Sequence, residues 1–232
     1  MRSIRRTLAI NDLILIINFQ SGGEFSPPLL FQAPDSFAPK LVYITENHYL
    51  CRKNTVMKVS VFCSANSVID PDFFAMTEEL GQWLVANGHS IVFGGCNLGL
   101  MECIAKSVKK AGGQTVGVIP RLVEEHGEIS DYIDVEIFCD NLSDRKELML
   151  RHSDAAIALP GGIGTLDEVF TMAASHTIGY HHKPVVLYNM KGFWNKTIEM
   201  LDDLQARGFI RGDYHGAIAV ADNLEELAKL LA

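Results

Sequence analysis

From Met57 to its end the chain keeps one rhythm: a strand-like run of about five apolar residues, then ten to fifteen residues of helical periodicity. Strand-like runs fall at Val59–Cys63, Ser90–Phe93, Thr115–Ile119, Val135–Phe138, Ala155–Leu159, Val185–Tyr188 and Ala217–Val220. Helical patterns fall at Asp72–Ala86, Gly99–Lys110, Leu142–His152, Gly164–Thr177, Trp194–Ala206 and Leu224–Leu231. Short apolar strands separated by helices are the pattern of a parallel sheet covered on both faces. The expected fold is a doubly wound α/β sheet of about seven strands. In such sheets ligands bind outside the carboxyl ends of the strands, so the residues just after each strand are the ones to inspect.

Residues 1–56 read differently. Pro27, Pro28, Pro34 and Pro39 punctuate them, and no period persists beyond the apolar run Leu13–Phe19. The expectation is an N-terminal extension, disordered or preceding a true start at Met57, followed by a single domain over 57–232. The seven-residue run is far short of the ~20 residues that span a bilayer. Arg2, Arg5 and Arg6 precede it as in a signal peptide, but Asn11 and Asp12 interrupt it and no small-residue cleavage site follows. The five cysteines show neither CxxC spacing nor a companion His pair, so neither a disulfide frame nor a metal site is indicated. A cytoplasmic protein with reduced thiols and no cofactor is expected. The net charge of −8 repels nucleic acid and anionic membrane, which leaves small molecules as partners.

Two strand ends are rich in glycine. The run Ala155–Leu159 is followed by Pro160-Gly-Gly-Ile-Gly-Thr-Leu-Asp-Glu168 and then by a helical pattern. Gly161, Gly162 and Gly164 let a ligand approach the backbone, and Thr165 follows at the helix start. Free N–H groups there, aided by the helix dipole, suit a phosphate. A tight turn with no ligand is the plain alternative. The letters fit neither a Walker loop, which needs Gly-Lys-Ser/Thr, nor a dinucleotide fingerprint, which needs a third glycine. The second cluster, Gly94-Gly-Cys-Asn-Leu-Gly-Leu-Met101, also enters a helix, and its Gly95 and Asn97 are candidate substrate contacts. A third strand end, Cys63-Ser-Ala-Asn-Ser67, offers hydroxyls and an amide that serve equally well in ordinary turns.

Glu168 lies four residues beyond Gly164, one turn into the helix and on the same face, within reach of a sugar bound at the turn. Asp167 is rotated by ~100° and is assigned to the helix N-terminus or to solvent. Arg145 and Lys146 open the preceding helix, and a planar guanidinium suits bidentate contact with an anion. His152, His176, His181 and His182 show no triad logic with a Ser or Cys, and the cysteines read as packing residues.

The nine residues Pro160–Glu168 fit the PGGxGTxxE signature of the Lonely Guy (LOG) proteins, long labelled lysine decarboxylases. Arg145-Lys146, Gly94–Met101 and Gly113-Gln-Thr-Val-Gly-Val-Ile-Pro120 support the resemblance, which covers 57–232 and none of 1–56. It implies a Rossmann-like homodimer that hydrolyses the N-glycosidic bond of a nucleoside 5′-monophosphate, a cytokinin ribotide or AMP, to free base and ribose 5-phosphate. It implies catalytic roles for Arg145 and Glu168 and a phosphate-binding turn of Gly161, Gly162, Gly164 and Thr165. Three positions depart from the pattern. Leu142 stands where the family often has Met, Glu102 where it usually has Gly, and Ser64 where Gly is common; these bear on the base more than on the reaction.

A rival from another class is a module that holds a nucleotide without cleaving it, since fold does not fix function. Arg145 together with Glu168 argues for the enzyme. A pyridoxal-dependent decarboxylase needs a lysine beside the glycine-rich turn, and Lys146 and Lys183, the nearest, both fit ordinary surface positions.

Overall fold

The computed structural model describes residues 4–10, 13–19 and 56–231, the first two segments by backbone alone. The chain forms two compact units, 1–50 and 51–232. In the first, β1 (Ile4–Ile10) and β2 (Leu13–Phe19) pair antiparallel, from Ile4 opposite Phe19 to Ile10 opposite Leu13. The sequence reading places no strand here and marks Leu13–Phe19 only as an apolar run. Ile4–Ile10 carries two arginines and no clean alternation, so its partner rather than its own period defines it. Most of the segment read as an extension, Cys51 included, lies outside the described residues.

In the second unit the order is β3 (Lys58–Phe62), α1 (Pro71–Ala86), β4 (Ser90–Phe93), α2 (Gly99–Lys110), β5 (Thr115–Pro120), α3 (Arg121–Glu125) and β6 (Val135–Cys139). It continues with α4 (Leu142–Arg151), β7 (Ala155–Ala158), α5 (Ile163–Thr177), β8 (Val185–Tyr188), α6 (Asn195–Ala206), β9 (Ile218–Ala221) and α7 (Leu224–Leu230). All seven strands are parallel, in the order β6-β5-β4-β3-β7-β8-β9. The expected doubly wound parallel sheet is what forms, with strand and helix ends shifted by a residue or so. Only α3 has no counterpart in the sequence reading; it is five residues long and buries none of them, so no apolar period marks it.

Each face of the sheet has its own core. Val59, Val61, Ile91 and Phe93 meet Leu80 and Leu84 of α1 and Leu100 and Ile104 of α2. On the other face Phe62, Val92 and Ala156 meet Met149 of α4, Val169 and Met172 of α5, and Trp194. Each fully buried Leu, Ile or Phe contributes about 1.5–3 kcal/mol of transfer free energy, enough to fix the strand ends as a rigid platform. The winding runs outward from β3 through β4, β5 and β6, then returns to β7 on the other side of β3. The loops after β3 and β7 therefore part at the switch point, where sheets of this kind open a crevice.

Candidate active site

Backbone hydrogen bonds join the three inspected strand ends. The Ser64 N–H donates to Pro160 O at 3.1 Å, and the Leu100 N–H donates to Ser64 O at 2.9 Å. The Gly99 N–H donates to Ser67 Oγ at 3.2 Å. Ser64 Oγ and Asn66 Oδ1 accept from N–H groups within their own loop, so the 63–67 polar side chains shape the loop that bridges the other two. Gly99, at φ +56°, passes so close to the 64–66 backbone that a Cβ would lie 2.6 Å from the Ala65 carbonyl carbon.

The turn after β7 is open on its ligand side. Gly162 caps α5 with no side-chain hydrogen bond, and the first turn carries no acid, so the leading N–H groups at 163–165 face outward unshielded. A Cβ on Gly162 or Gly164 meets no atom within 4 Å. Gly161 is required for a different reason: a Cβ there would overlap the side chain of Thr165, which is buried.

Glu168 sits one turn below these amides with a side-chain exposure of 6%. Its Oε1 lies 3.1 Å from Arg145 Nη2, close enough for an ion pair but misaligned for a hydrogen bond. Glu168 Oε1 and Arg145 Nε are accordingly buried without hydrogen-bond partners. Burial pushes the Glu168 carboxyl up to about 7 against the opposing pull of Arg145. A carboxyl poised near neutrality between a guanidinium and a phosphate-type turn is an arrangement suited to catalysis.

Arg145 reaches this position from α4. Asn141 caps that helix, accepting from the N–H groups of Ser143 and Asp144, which sets Arg145 one turn in. Its guanidinium lies over Gly94, where a Cβ would overlap Nη2. The role of Gly94 as the seat of the arginine is not visible in the sequence, although the Gly94-Gly95 doublet is its only signal. Gly95 adopts φ +74° and packs on Ile119, while Asn97 and Ser130 tie the turn to the 128–130 segment through backbone bonds.

Lys146 meets the opening turns of α5 through Asp167. Its Nζ bonds both carboxylate oxygens of Asp167 at 2.7 and 2.8 Å, so Asp167, exposed to solvent as expected, also joins α4 to α5. Cys63 is buried beneath the pair, and burial together with Glu168 pushes its thiol well above the usual range, which removes it as a nucleophile. Cys96 and Cys139 are also buried, as packing residues are, and no disulfide joins cysteines among the described residues. His152 is exposed at the end of α4, and His176, in the last turn of α5, clusters with His181 and His182 just past it, far along the helix from Glu168. Among the described residues no cluster of His, Cys, Asp and Glu could hold a metal ion, and no helix is long and apolar enough to cross a membrane.

A family described as "possible lysine decarboxylase" matches residues 101–231. The chain is 34% identical over 179 residues to the cytokinin riboside 5′-monophosphate phosphoribohydrolase LOG5 of Arabidopsis thaliana, covering 77% of this chain and 78% of that one. The chain belongs to the LOG family. A second LOG relative, the probable cytokinin riboside 5′-monophosphate phosphoribohydrolase LOGL1 of Oryza sativa subsp. japonica, is 37% identical over 173 residues, covering 74% and 77% of the two chains. Among solved structures, a molybdenum cofactor carrier protein from Chlamydomonas reinhardtii superimposes with a TM-score of 0.59 at 27% identity, covering 76% of this chain and 98% of that one. The LOG signature thus marks the α5 turn together with the carboxylate one turn below it.

Proposed function

We propose that the chain hydrolyses the N-glycosidic bond of a purine nucleoside 5′-monophosphate, a cytokinin ribotide or AMP, releasing the free base and ribose 5-phosphate. The observation that carries this is the buried Arg145–Glu168 pair one turn below the uncapped N-terminus of α5. The 163–165 amides and the helix dipole take the 5′-phosphate, with Gly162 and Gly164 leaving it room. The sugar then lies beside Glu168. As the C1′–N bond breaks, positive charge builds on the ribosyl ring and the ionised carboxylate stabilises it in a site of low dielectric. Water supplies the oxygen that bonds C1′, and the departing base takes up a proton. Arg145 orients the substrate and offsets the charge that phosphate and carboxylate bring together.

The second reading, a carrier that holds a phosphorylated ligand intact, draws on the solved carrier protein. A carboxyl held near neutrality inside the site has no task in a carrier that only grips a phosphate, so the hydrolase is favoured. We take the working unit to be a cytoplasmic homodimer. Val135, Phe138 and Leu142 expose apolar surface along β6 and the start of α4 in support of a subunit contact.

The test is incubation of the purified chain with AMP and with N6-isopentenyl-AMP, followed by chromatography for free base and ribose 5-phosphate. Release of either base supports the reading, and the ratio of rates names the preference; no release of any base refutes it.

A further inference from the structure

Among the described residues, three buried side-chain polar atoms have no hydrogen-bond partner: Arg145 Nε, Glu168 Oε1 and Glu102 Oε2. The first two belong to the pair already assigned. Glu102 is the member that the proposed reaction leaves unused, and it enters no ion pair among the described residues.

Its place in the fold is well defined. Glu102 lies on the first turn of α2, which leaves the 94–98 turn directly. Cys103 Sγ and Ser107 Oγ donate to the Phe74 and Glu78 carbonyls, so that side of α2 faces α1. Lys109, two turns beyond Glu102 on the same stripe, bonds Asp134, so the Glu102 stripe faces the segment that leads into β6. Helical side chains lean toward the N-terminus, which carries the Glu102 carboxylate back over the 94–98 turn. That turn also holds Cys96, whose thiol feels the charges of Arg145 and Glu102 together. The neighbouring Met101 places its Sδ against Gly94, the seat of the arginine.

A nucleotide with its phosphate at 163–165 and its sugar beside Glu168 extends its base away from α5. Arg145 links Glu168 to Gly94, so that direction runs over the β4 turn. We infer that Glu102 determines which base the site accepts, its buried Oε2 taking a hydrogen bond from an exocyclic amino group on C6 of a purine. An ionised carboxylate only accepts hydrogen bonds. A 6-amino group supplies the donor, and an N6-alkylated amine keeps one N–H for the same bond. A 6-oxo purine sets an acceptor against an acceptor and is rejected, because sites with buried polar groups discriminate strongly against ligands that leave them unpaired. The inference rests on the nucleotide reading of the site.

The experiment compares AMP with inosine 5′-monophosphate, both by kcat/KM for base release and by equilibrium binding, in the wild type and in Glu102→Gln and Glu102→Gly, with folding checked by circular dichroism. Wild type is expected to favour AMP by at least about thirtyfold. Glu102→Gln, whose amide also donates, is expected to cut that ratio at least tenfold by improving the inosine nucleotide, and Glu102→Gly to cut it by weakening AMP. A wild type that treats the two alike, or a ratio unchanged within twofold in a folded variant, overturns the inference. If wild type cleaves neither nucleotide, the hydrolase reading fails, and the binding ratio still decides the role of Glu102.

Discussion

Replacing Glu168 by Gln isolates what burial does to the carboxyl. In the folded chain this group ionises at about 7, whereas its ordinary value is 4.5. Between those two pH values the folded state keeps a proton that the unfolded chain has already released, so stability falls as pH rises through the window and levels off above about 7. A gap of about two and a half pH units, at about 1.4 kcal/mol each, amounts to about 3 kcal/mol. Gln has the size of the protonated acid and does not titrate. The variant is therefore expected to match wild type near pH 4.5 and to exceed it by about 3 kcal/mol above pH 7.5. Urea unfolding followed by tryptophan fluorescence at pH 5 and pH 8 measures this, and ionisations elsewhere cancel in the difference between the two proteins. The advantage of the variant should grow by roughly 2–3 kcal/mol between the two pH values. A constant difference, or a variant that loses ground as pH rises, would mean that attraction to Arg145 outweighs burial, and the reasoning about Glu168 would be wrong.

Further outcomes follow from the same geometry. If the ionised carboxylate does the work, kcat/KM for AMP should rise with pH through about 7, roughly one unit above the second ionisation of a phosphate ester near 6; a profile flat from pH 6 to 8.5 would contradict this. Gly94→Ala should displace the Arg145 guanidinium and lower kcat/KM about a hundredfold, measured by steady-state base release, while the chain still folds. Adenosine, lacking the phosphate, should react with a kcat/KM at least about a hundredfold below that of AMP, since two or more charge-assisted hydrogen bonds are lost; equal rates would dismiss the α5 turn as a phosphate site. Asp167→Asn should change stability in thermal or urea unfolding by no more than about 1 kcal/mol, because its bond to Lys146 is half exposed.

Much of this was legible from letters alone because the signals are local. Strands such as Ala155–Ala158, buried along their whole length, read as apolar runs, and the glycines at 161, 162 and 164 announce a turn whose backbone must be approached. The Arg145–Glu168 pair could be suspected from the signature but not assembled, since it depends on how α4 packs against α5 across 22 intervening positions of sequence. The same packing gives the exposed Asp167 a partner in Lys146 that helical rotation alone does not name. Long-range seating accounts for Gly94 as well: its need for a missing Cβ comes from a guanidinium on another helix, and no local rule contains that fact. Strand β1 escaped because pairing, not periodicity, defines it.

The central claim is that this site cleaves a nucleotide instead of merely holding one. The most direct measurement follows free adenine and ribose 5-phosphate from AMP over time, beside equilibrium binding of AMP, in wild type and in Glu168→Ala. The account predicts equimolar release of the two products by wild type, and release at least a thousandfold slower by a folded variant that still binds AMP. Tight binding by wild type with no release, or release undiminished in Glu168→Ala, would contradict it.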